Sequence, residues 1–351
     1  MTTPITTAPI LRVTIDQTDM PQGAYADLLD LSVVDDLEAP SMFTLRLLAW
    51  DELSAKLTWV DDDRFSIGKP VDIGIGDGGA ITTLISGEIT SLELEVAAGE
   101  IPVLVVRGYD RRHRMTRGTS TRVFTNVKDS EIAAQIAAAR QLEAQVTDSG
   151  VVHEYVAQRA QTDLAFLKQR ARGINYVVVV RGTTLYFGPP PEDDAPKITL
   201  SMSKDVIDFS PRMSARDQPG QIEVRSWDPK TKQAIVSTAS SQSLDAMGTT
   251  SGPALADKAF GKAIVSLVDQ PVSTQEEADR LALSSLEERA SAFIEGQGTC
   301  FGRTDLRAGI VVEMEGLGQR FSGPYDVLST THTCSSKGGY RTKFSTSRNA
   351  T

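Results

Sequence analysis

Apolar and polar residues alternate along the first third of the chain. Leu11-Arg12-Val13-Thr14-Ile15, Met42-Phe43-Thr44-Leu45-Arg46-Leu47 and Val71-Asp72-Ile73-Gly74-Ile75 each present two faces in turn, and the stretches between them are rich in Asp, Gly and Pro. Strands at such short spacing, with no helix to carry the chain across a sheet, predict an antiparallel barrel or sandwich over residues 1–110.

The period changes after Val103-Leu104-Val105-Val106-Arg107-Gly108-Tyr109-Asp110. From Asp129 to Arg140 capping residues precede good helix formers, with Ile132 and Ile136 on one face. A second helix, about Thr162 to Arg172, sets Leu164, Leu167 and Ala171 on one face and stops at Gly173. Tyr176 to Val180, the Arg181-Gly182 turn and Thr184 to Phe187 read as strand, turn, strand. Residues 111–196 therefore form an α+β domain, closed by the stiff Gly188-Pro189-Pro190-Pro191-Glu192-Asp193-Asp194 linker.

Strands resume at Lys197 to Leu200 and Gln221 to Trp227, whereas Ser237 to Gly252 is small, polar and loop-like. A helix from about Thr274 to Ala292 opens with Ser273 and Thr274, each followed three residues later by Glu276 and Glu277, the capping-box spacing. The chain is β again from there to its end. The expected architecture is thus β-rich α+β: two similar antiparallel β-barrels, 1–110 and 197–236 with 293–351, an α+β insertion at 111–196, and a helical insertion at 237–292. An internal echo supports the pairing of barrels, since Val71-Asp72-Ile73-Gly74-Ile75-Gly76 leads to Ser86-Gly87 much as Glu313-Met314-Glu315-Gly316-Leu317-Gly318 leads to Ser322-Gly323.

Composition narrows the function. Lys+Arg 36 against Asp+Glu 46 gives a net charge of −10, which disfavours nonspecific DNA binding or attachment to an anionic membrane. Cys300 and Cys334 are the only cysteines, too few for a disulfide framework or a zinc knuckle. Met1 to Ile10 lacks the basic start and apolar run of a signal peptide, so folding in the cytosol is expected.

Familiar motifs fail on context. Gly74-Ile75-Gly76-Asp77-Gly78-Gly79 follows a strand but leads into another strand, so Asp77-Gly78 reads as a hairpin turn and not as a phosphate cradle. His113, His153 and His332 have no second ligand at helical spacing, and Asp61-Asp62-Asp63 and Glu192-Asp193-Asp194 read as solvated loops. No catalytic, cofactor or metal site is expected. The one basic concentration is Arg111, Arg112, Arg114, Arg117 and Arg122, around His113. With Tyr109 and Phe124 only flanking it, the segment suits contact with a subunit or an acidic partner better than nucleic acid.

At this segment the sequence resembles the phage late-control D family. The resemblance is carried by Gly108-Tyr109-Asp110-Arg111-Arg112-His113-Arg114-Met115-Thr116-Arg117-Gly118, Phe124-Thr125, Asp129-Ser130-Glu131-Ile132, Tyr155-Val156-Ala157-Gln158 and Gln161-Thr162-Asp163-Leu164-Ala165-Phe166-Leu167. Gly316-Leu317-Gly318, Phe321 to Val327, His332 and Gly339-Tyr340-Arg341-Thr342 look like the family's closing barrel. That family comprises baseplate hub proteins of contractile tails and includes the hub portion of VgrG spikes in type VI secretion.

The resemblance implies two tube-like antiparallel β-barrels with an α+β insertion and a helical insertion, and a structural role without chemistry: a homotrimeric adaptor between the six-fold tail tube and a spike. VgrG-type chains continue into a spike, whereas this sequence stops at Thr351, so a separate spike protein is expected. The further partners implied are the tail tube protein, baseplate wedge or adaptor proteins and a tape measure protein, with no specific nucleic acid and no membrane insertion. Localisation would be cytoplasmic during assembly and then within a tail or injection particle. A tail-tip cell-wall hydrolase would need an acid/base pair that the sequence does not offer, and a carbohydrate-binding β module would have few stacking platforms at 6% aromatic residues.

Overall fold

The computed structural model describes residues 9–76, 80–190, 198–270, 272–336 and 338–351, so the expected Asp77-Gly78 turn and the Glu192-Asp193-Asp194 loop lie outside the described residues. Strand outweighs helix, 49% against 20%, and a large antiparallel sheet dominates, as the β-rich α+β expectation requires.

The first unit supplies β1 (Ile10–Ile15), β2 (Leu28–Asp36), β3 (Met42–Leu48), β4 (Pro70–Gly76), β5 (Ile81–Glu95) and β6 (Val103–Asp110). Alternation acts as expected in β3, where Phe43, Leu45 and Leu47 are buried between half-buried neighbours. They join Val13, Ile15, Leu31, Val33, Ile73 and Val106 in one core. Phe43 lies so close over Gly108 that a Cβ there would come within 2.4 Å of its ring, which explains the glycine inside β6.

The middle unit follows with β7 (Ser120–Lys128), α1 (Asp129–Ala139), β8 (Glu143–Val146), β9 (Val152–Gln161), α2 (Asp163–Arg172), β10 (Val177–Arg181) and β11 (Thr184–Gly188). Both helices fall within a residue of their expected limits. Thr162 caps α2 by accepting from the Ala165 N–H at 3.2 Å. Two small sheets, β7-β9 and β8-β11-β10, share a core of Ile132, Ile136, Leu164, Leu167, Leu185 and Phe187 with the helices.

The remaining elements are β12 (Ile198–Ser201), β13 (Val206–Met213), β14 (Gln221–Asp228), β15 (Gln233–Ser240), α3 (Gly252–Phe260), β16 (Ile264–Leu267), α4 (Gln275–Ser291), β17 (Ile294–Phe301), β18 (Val311–Glu315), β19 (Gly323–Ser335) and β20 (Gly339–Arg348). Here the sequence-derived boundary needs correction. β14, expected in the second barrel, instead pairs with β15 and β16, and its Ile222 and Val224 pack against Ala278, Leu281, Ala282 and Leu286 of α4. The insertion therefore includes residues 221–228 and does not begin at 237. Ser237 to Ser240, expected as loop, end β15; this strand buries Ile235, Ser237 and Ala239, so its inward face is small and partly polar and leaves little trace in hydropathy.

One 13-stranded sheet joins the first and last units, and its order contains a repetition. The first six strands run β1-β4-β5-β6-β3-β2, and the last unit runs β12-β18-β19-β20-β17-β13, the same permutation of six strands in chain order. The irregularities repeat as well. A bulge at Thr90, between Ile89 and Ser91 of β5, matches one at Leu328, between Val327 and Ser329 of β19. A bulge at Leu29 of β2 likewise matches one at Ile207 of β13. The strands at Val71 to Ile75 and Val311 to Met314 thus hold equivalent places, with Val71 corresponding to Val312 by pairing.

The two expected barrels take the form of two copies of one six-strand unit, each around a separate core, within a sheet whose pairing path does not return on itself among the described residues. The copies differ in three respects among the described residues: β1 meets β4 antiparallel whereas β12 meets β18 parallel, and only the first copy has a two-residue strand, Thr18–Asp19, beside β1 and a bulge at Leu84 of β5. They are joined edge to edge. Ser329 to Ser335 of β19 pair antiparallel with Asp36 to Asp30 of β2.

Candidate functional site

The arginine segment lies where the first unit hands over to the middle unit, and its members have different fates. Arg112 is 1% exposed. Its Nε donates to Asp110 Oδ2 at 2.8 Å, while its Nη2 donates to the Asp36 carbonyl and to Ser41 Oγ, both at 2.9 Å. Asp110 in turn accepts from the Ser41 N–H at 2.8 Å. Arg112 therefore fixes the β2–β3 connection to the end of β6. The expectation that it forms a subunit or partner contact is corrected, because a guanidinium with its donors used inside the chain has nothing left to offer.

Arg111, His113 and Arg114 converge on one buried carboxylate, Glu88 of β5. Arg111 Nε lies 3.5 Å from Oε1, His113 Nε2 2.9 Å from Oε2, and Arg114 Nε donates to Oε2 at 2.8 Å. Burial alone would raise the Glu88 pKa, but the hydrogen bonds from Arg114 and His113 hold it below the usual carboxylate range. The basic segment is thus largely the neutralising shell of an acid that precedes it in sequence by more than twenty residues.

Arg122 is likewise engaged within the chain. It donates to Gln158 Oε1 at 2.8 Å, pairs with Asp163 and covers the Phe124 ring at 5.6 Å. Arg140 holds the other Asp163 oxygen at 2.6 Å. Arg117, by contrast, has no ion-pair partner among the described residues. It lines, with Arg114, Arg140 and Glu88, an open groove of about 940 Å³ between the first and middle units. Of the five arginines, Arg112 alone is buried; Arg117 is exposed, and Arg111, Arg114 and Arg122 each keep part of the side chain in solvent.

A second polar cluster escaped the sequence reading because its members are far apart in the chain. His153 of β9 binds Asp129 Oδ2 at 3.0 Å through Nε2 and Glu277 of α4 through Nδ1. Arg170 of α2 completes the cluster, its Nη2 donating to Asp129 Oδ2 at 2.9 Å. Burial would lower the His153 pKa, but the two carboxylates raise it to about 9, so the imidazole is cationic at neutral pH and ties the helical insertion to the middle unit. The capping box found in the sequence serves this link, since Glu277 also accepts from the Thr274 N–H at 3.2 Å.

These clusters are structural joints. Among the described residues no three His, Cys, Asp or Glu side chains converge on a metal-sized space. Cys300 is buried and its thiol is pushed up to about 12, so it stays protonated. No helix is long and apolar enough to cross a membrane among the described residues.

Comparison with known proteins agrees with the fold at full length. A family model described as the Alg8 N-terminal domain matches residues 8–336. No curated protein matches the chain. Among solved structures it is similar to the prophage MuSo2 43 kDa tail protein from Shewanella oneidensis, with 14% identity over 97% of this chain and 98% of that chain at a TM-score of 0.74. A tail protein from Neisseria meningitidis MC58 gives 11% identity over 97% of each chain at 0.70. The E. coli c3393 protein, a type VI secretion system component, gives 12% identity over 96% of this chain and 77% of that chain at 0.60. At these identities the likeness establishes a shared fold.

Proposed function

The chain belongs to the Alg8 N-terminal domain family, and from its architecture and the fold it shares with tail proteins we propose that it is a structural baseplate hub of a contractile tail or injection system. The observation that carries the reading is the duplicated six-strand unit, within a fold shared over nearly its whole length with two tail proteins. Three chains, each with two like units, would offer six similar faces to a six-fold tube while keeping three-fold symmetry for a trimeric spike. The partners in this reading are the tail tube protein, the spike and the neighbouring baseplate proteins.

The role is mechanical and needs no turnover. What supports this is the use of the arginine segment and the His153 cluster as joints between units. Deleting the gene from a strain that makes such particles tests the reading: tubes and sheaths should fail to join a spike, and the wild-type chain should restore joining. Intact particles without the chain, or release of sugar from peptidoglycan by the purified protein, would replace the hub reading with an accessory or hydrolytic one.

A further inference from the structure

The joint between the two six-strand copies uses one edge from each, and the remaining two equivalent edges are open among the described residues. In the internal joint, β19 beyond its bulge pairs with β2, with Thr330 opposite Asp35, Thr331 opposite Val34 and His332 opposite Val33. The equivalent of β19 is β5, and the equivalent of β2 is β13. Among the described residues, β5 beyond its own bulge has only β6 as a neighbour, and β13 has only β17. The repeated bulges fix the correspondence residue by residue: Leu92, Glu93 and Leu94 stand for Thr330, Thr331 and His332, while Met213, Arg212 and Pro211 stand for Asp35, Val34 and Val33.

We infer that β5 of one chain pairs antiparallel with β13 of a second copy, in the register Leu92 to Met213, Glu93 to Arg212 and Leu94 to Pro211. This deepens the hub reading and rests on it only for the number of copies; the contact itself rests on the internal joint. Three further observations point to a second copy as the occupant.

The first is exposure. Thr330 and His332 are 1% and 0% exposed at the closed joint, whereas Leu92 and Leu94 are 36% and 38% exposed at the open one. The same holds in the loop before β4. Ala308, buried at 1% with its N–H donated to Asp35, corresponds to Ile67, which is 69% exposed. Apolar side chains thus stand open where the internal copy covers the same positions.

The second is charge. In the inferred register Glu93 faces Arg212 on the same side of the sheet, a favourable cross-strand pair. Arg212 is exposed and has no ion-pair partner among the described residues, and Glu93 is held only by Arg107 at 2.5 Å.

The third is the edge itself. The Ser214 N–H donates to the Phe293 carbonyl at 2.9 Å, so by alternation Met213 and Pro211 turn their backbone groups outward. Pro211 offers a carbonyl but no N–H, which makes the ladder one bond shorter than the internal one. Proline at an edge discourages arbitrary strand pairing and leaves the choice of partner to side-chain matching.

The two edges are different surfaces, so the contact is head to tail and must close a ring or grow a filament. With two units per chain and six positions in the ring, closure takes three chains.

The test is a disulfide. Glu93 and Arg212 would form a non-hydrogen-bonded pair with Cα atoms about 4.5 Å apart, within the range a disulfide spans. The full chain carrying Glu93→Cys and Arg212→Cys, oxidised and run denatured without reductant, should give a covalent trimer. Equal amounts of the two single variants, mixed, should give a dimer and nothing larger, and the shifted pair Glu93→Cys with Ser210→Cys should stay near the wild-type background. Trimers by light scattering without the specific cross-link would overturn the strand pairing and leave the hub reading intact. A chain that stays monomeric at all concentrations, or cross-links equally in the shifted pair, would also overturn it, while gene deletion tests the hub reading separately.

Discussion

Gly68 and Gly309 hold the same position in the two copies of the six-strand unit. Each has a left-handed backbone, φ 91° and 93°. The Gly68 N–H donates to the Ile89 carbonyl and the Gly309 N–H to the Val327 carbonyl, both at 2.8 Å. The return bonds also match, Ile89 N–H to the Lys69 carbonyl and Val327 N–H to the Ile310 carbonyl, both at 2.9 Å. Each glycine thus turns the chain onto the bulged strand just before its bulge.

A side chain at Gly68 would meet nothing within 4 Å, so the cost of Gly68→Ala is that of the backbone conformation alone, about 1–2 kcal/mol. Gly309→Ala should lose a similar amount. Urea midpoints that fall together in the two variants, with unchanged slopes, are the expected result.

Arg112→Met should be far more damaging than any other change in the basic segment. It leaves Asp110 buried without its counter-charge and strips donors from Ser41 and the Asp36 carbonyl, a loss of about 3–5 kcal/mol. Arg117→Ala, on the surface, should stay within about 0.5 kcal/mol of wild type. Thermal melts of the two variants side by side distinguish joint from surface.

His332 should make the chain sensitive to acid. Burial lowers its pKa to about 4, with nearby Arg307 acting in the same direction, and its ring lies in the joint with Nδ1 2.9 Å from the Tyr340 hydroxyl. A lowered histidine stabilises the fold above the unfolded value near 6.5, and that contribution is lost as pH falls through the folded value. The loss between these limits is on the order of 3 kcal/mol. In His332→Gln the fall in urea midpoint from pH 7 to pH 4.5 should be visibly shallower than in the wild type.

His153 should act in the opposite direction. Raised to about 9 by Asp129 and Glu277 against the effect of burial, it stabilises the docking of α4 fully below about pH 6.5, and the contribution is lost as pH rises through 9. Protease cuts in the helical insertion should therefore increase between pH 7 and pH 9.5 in the wild type. In His153→Gln they should be high at both.

Much of this architecture is legible in the sequence wherever a side chain's burial follows its own period. Phe43, Leu45 and Leu47 announce β3, and Thr162 and Gly173 bracket α2, because those signals lie within a few residues of each other. β15 is hidden because Ser237 and Ala239 fill its inward face. The duplication is nearly hidden too: the Gly-x-Gly echo sets Val71 beside Glu313, one residue away from the Val312 that the ladder selects, and the glycines themselves are not equivalent. What marks the repeat is bulge position and strand order, which many sequences satisfy. The arginine segment misleads for a related reason, since its charge is visible and its partners, Glu88, Asp110 and Asp163, are set by the fold.

Electron-microscope averages of the assembled protein viewed down its axis test the central claim most directly. The account predicts a closed ring of six similar lobes built from three chains, each chain supplying two neighbouring lobes. A two-fold particle, an open filament, or a ring whose lobe number is not twice its chain number would contradict it.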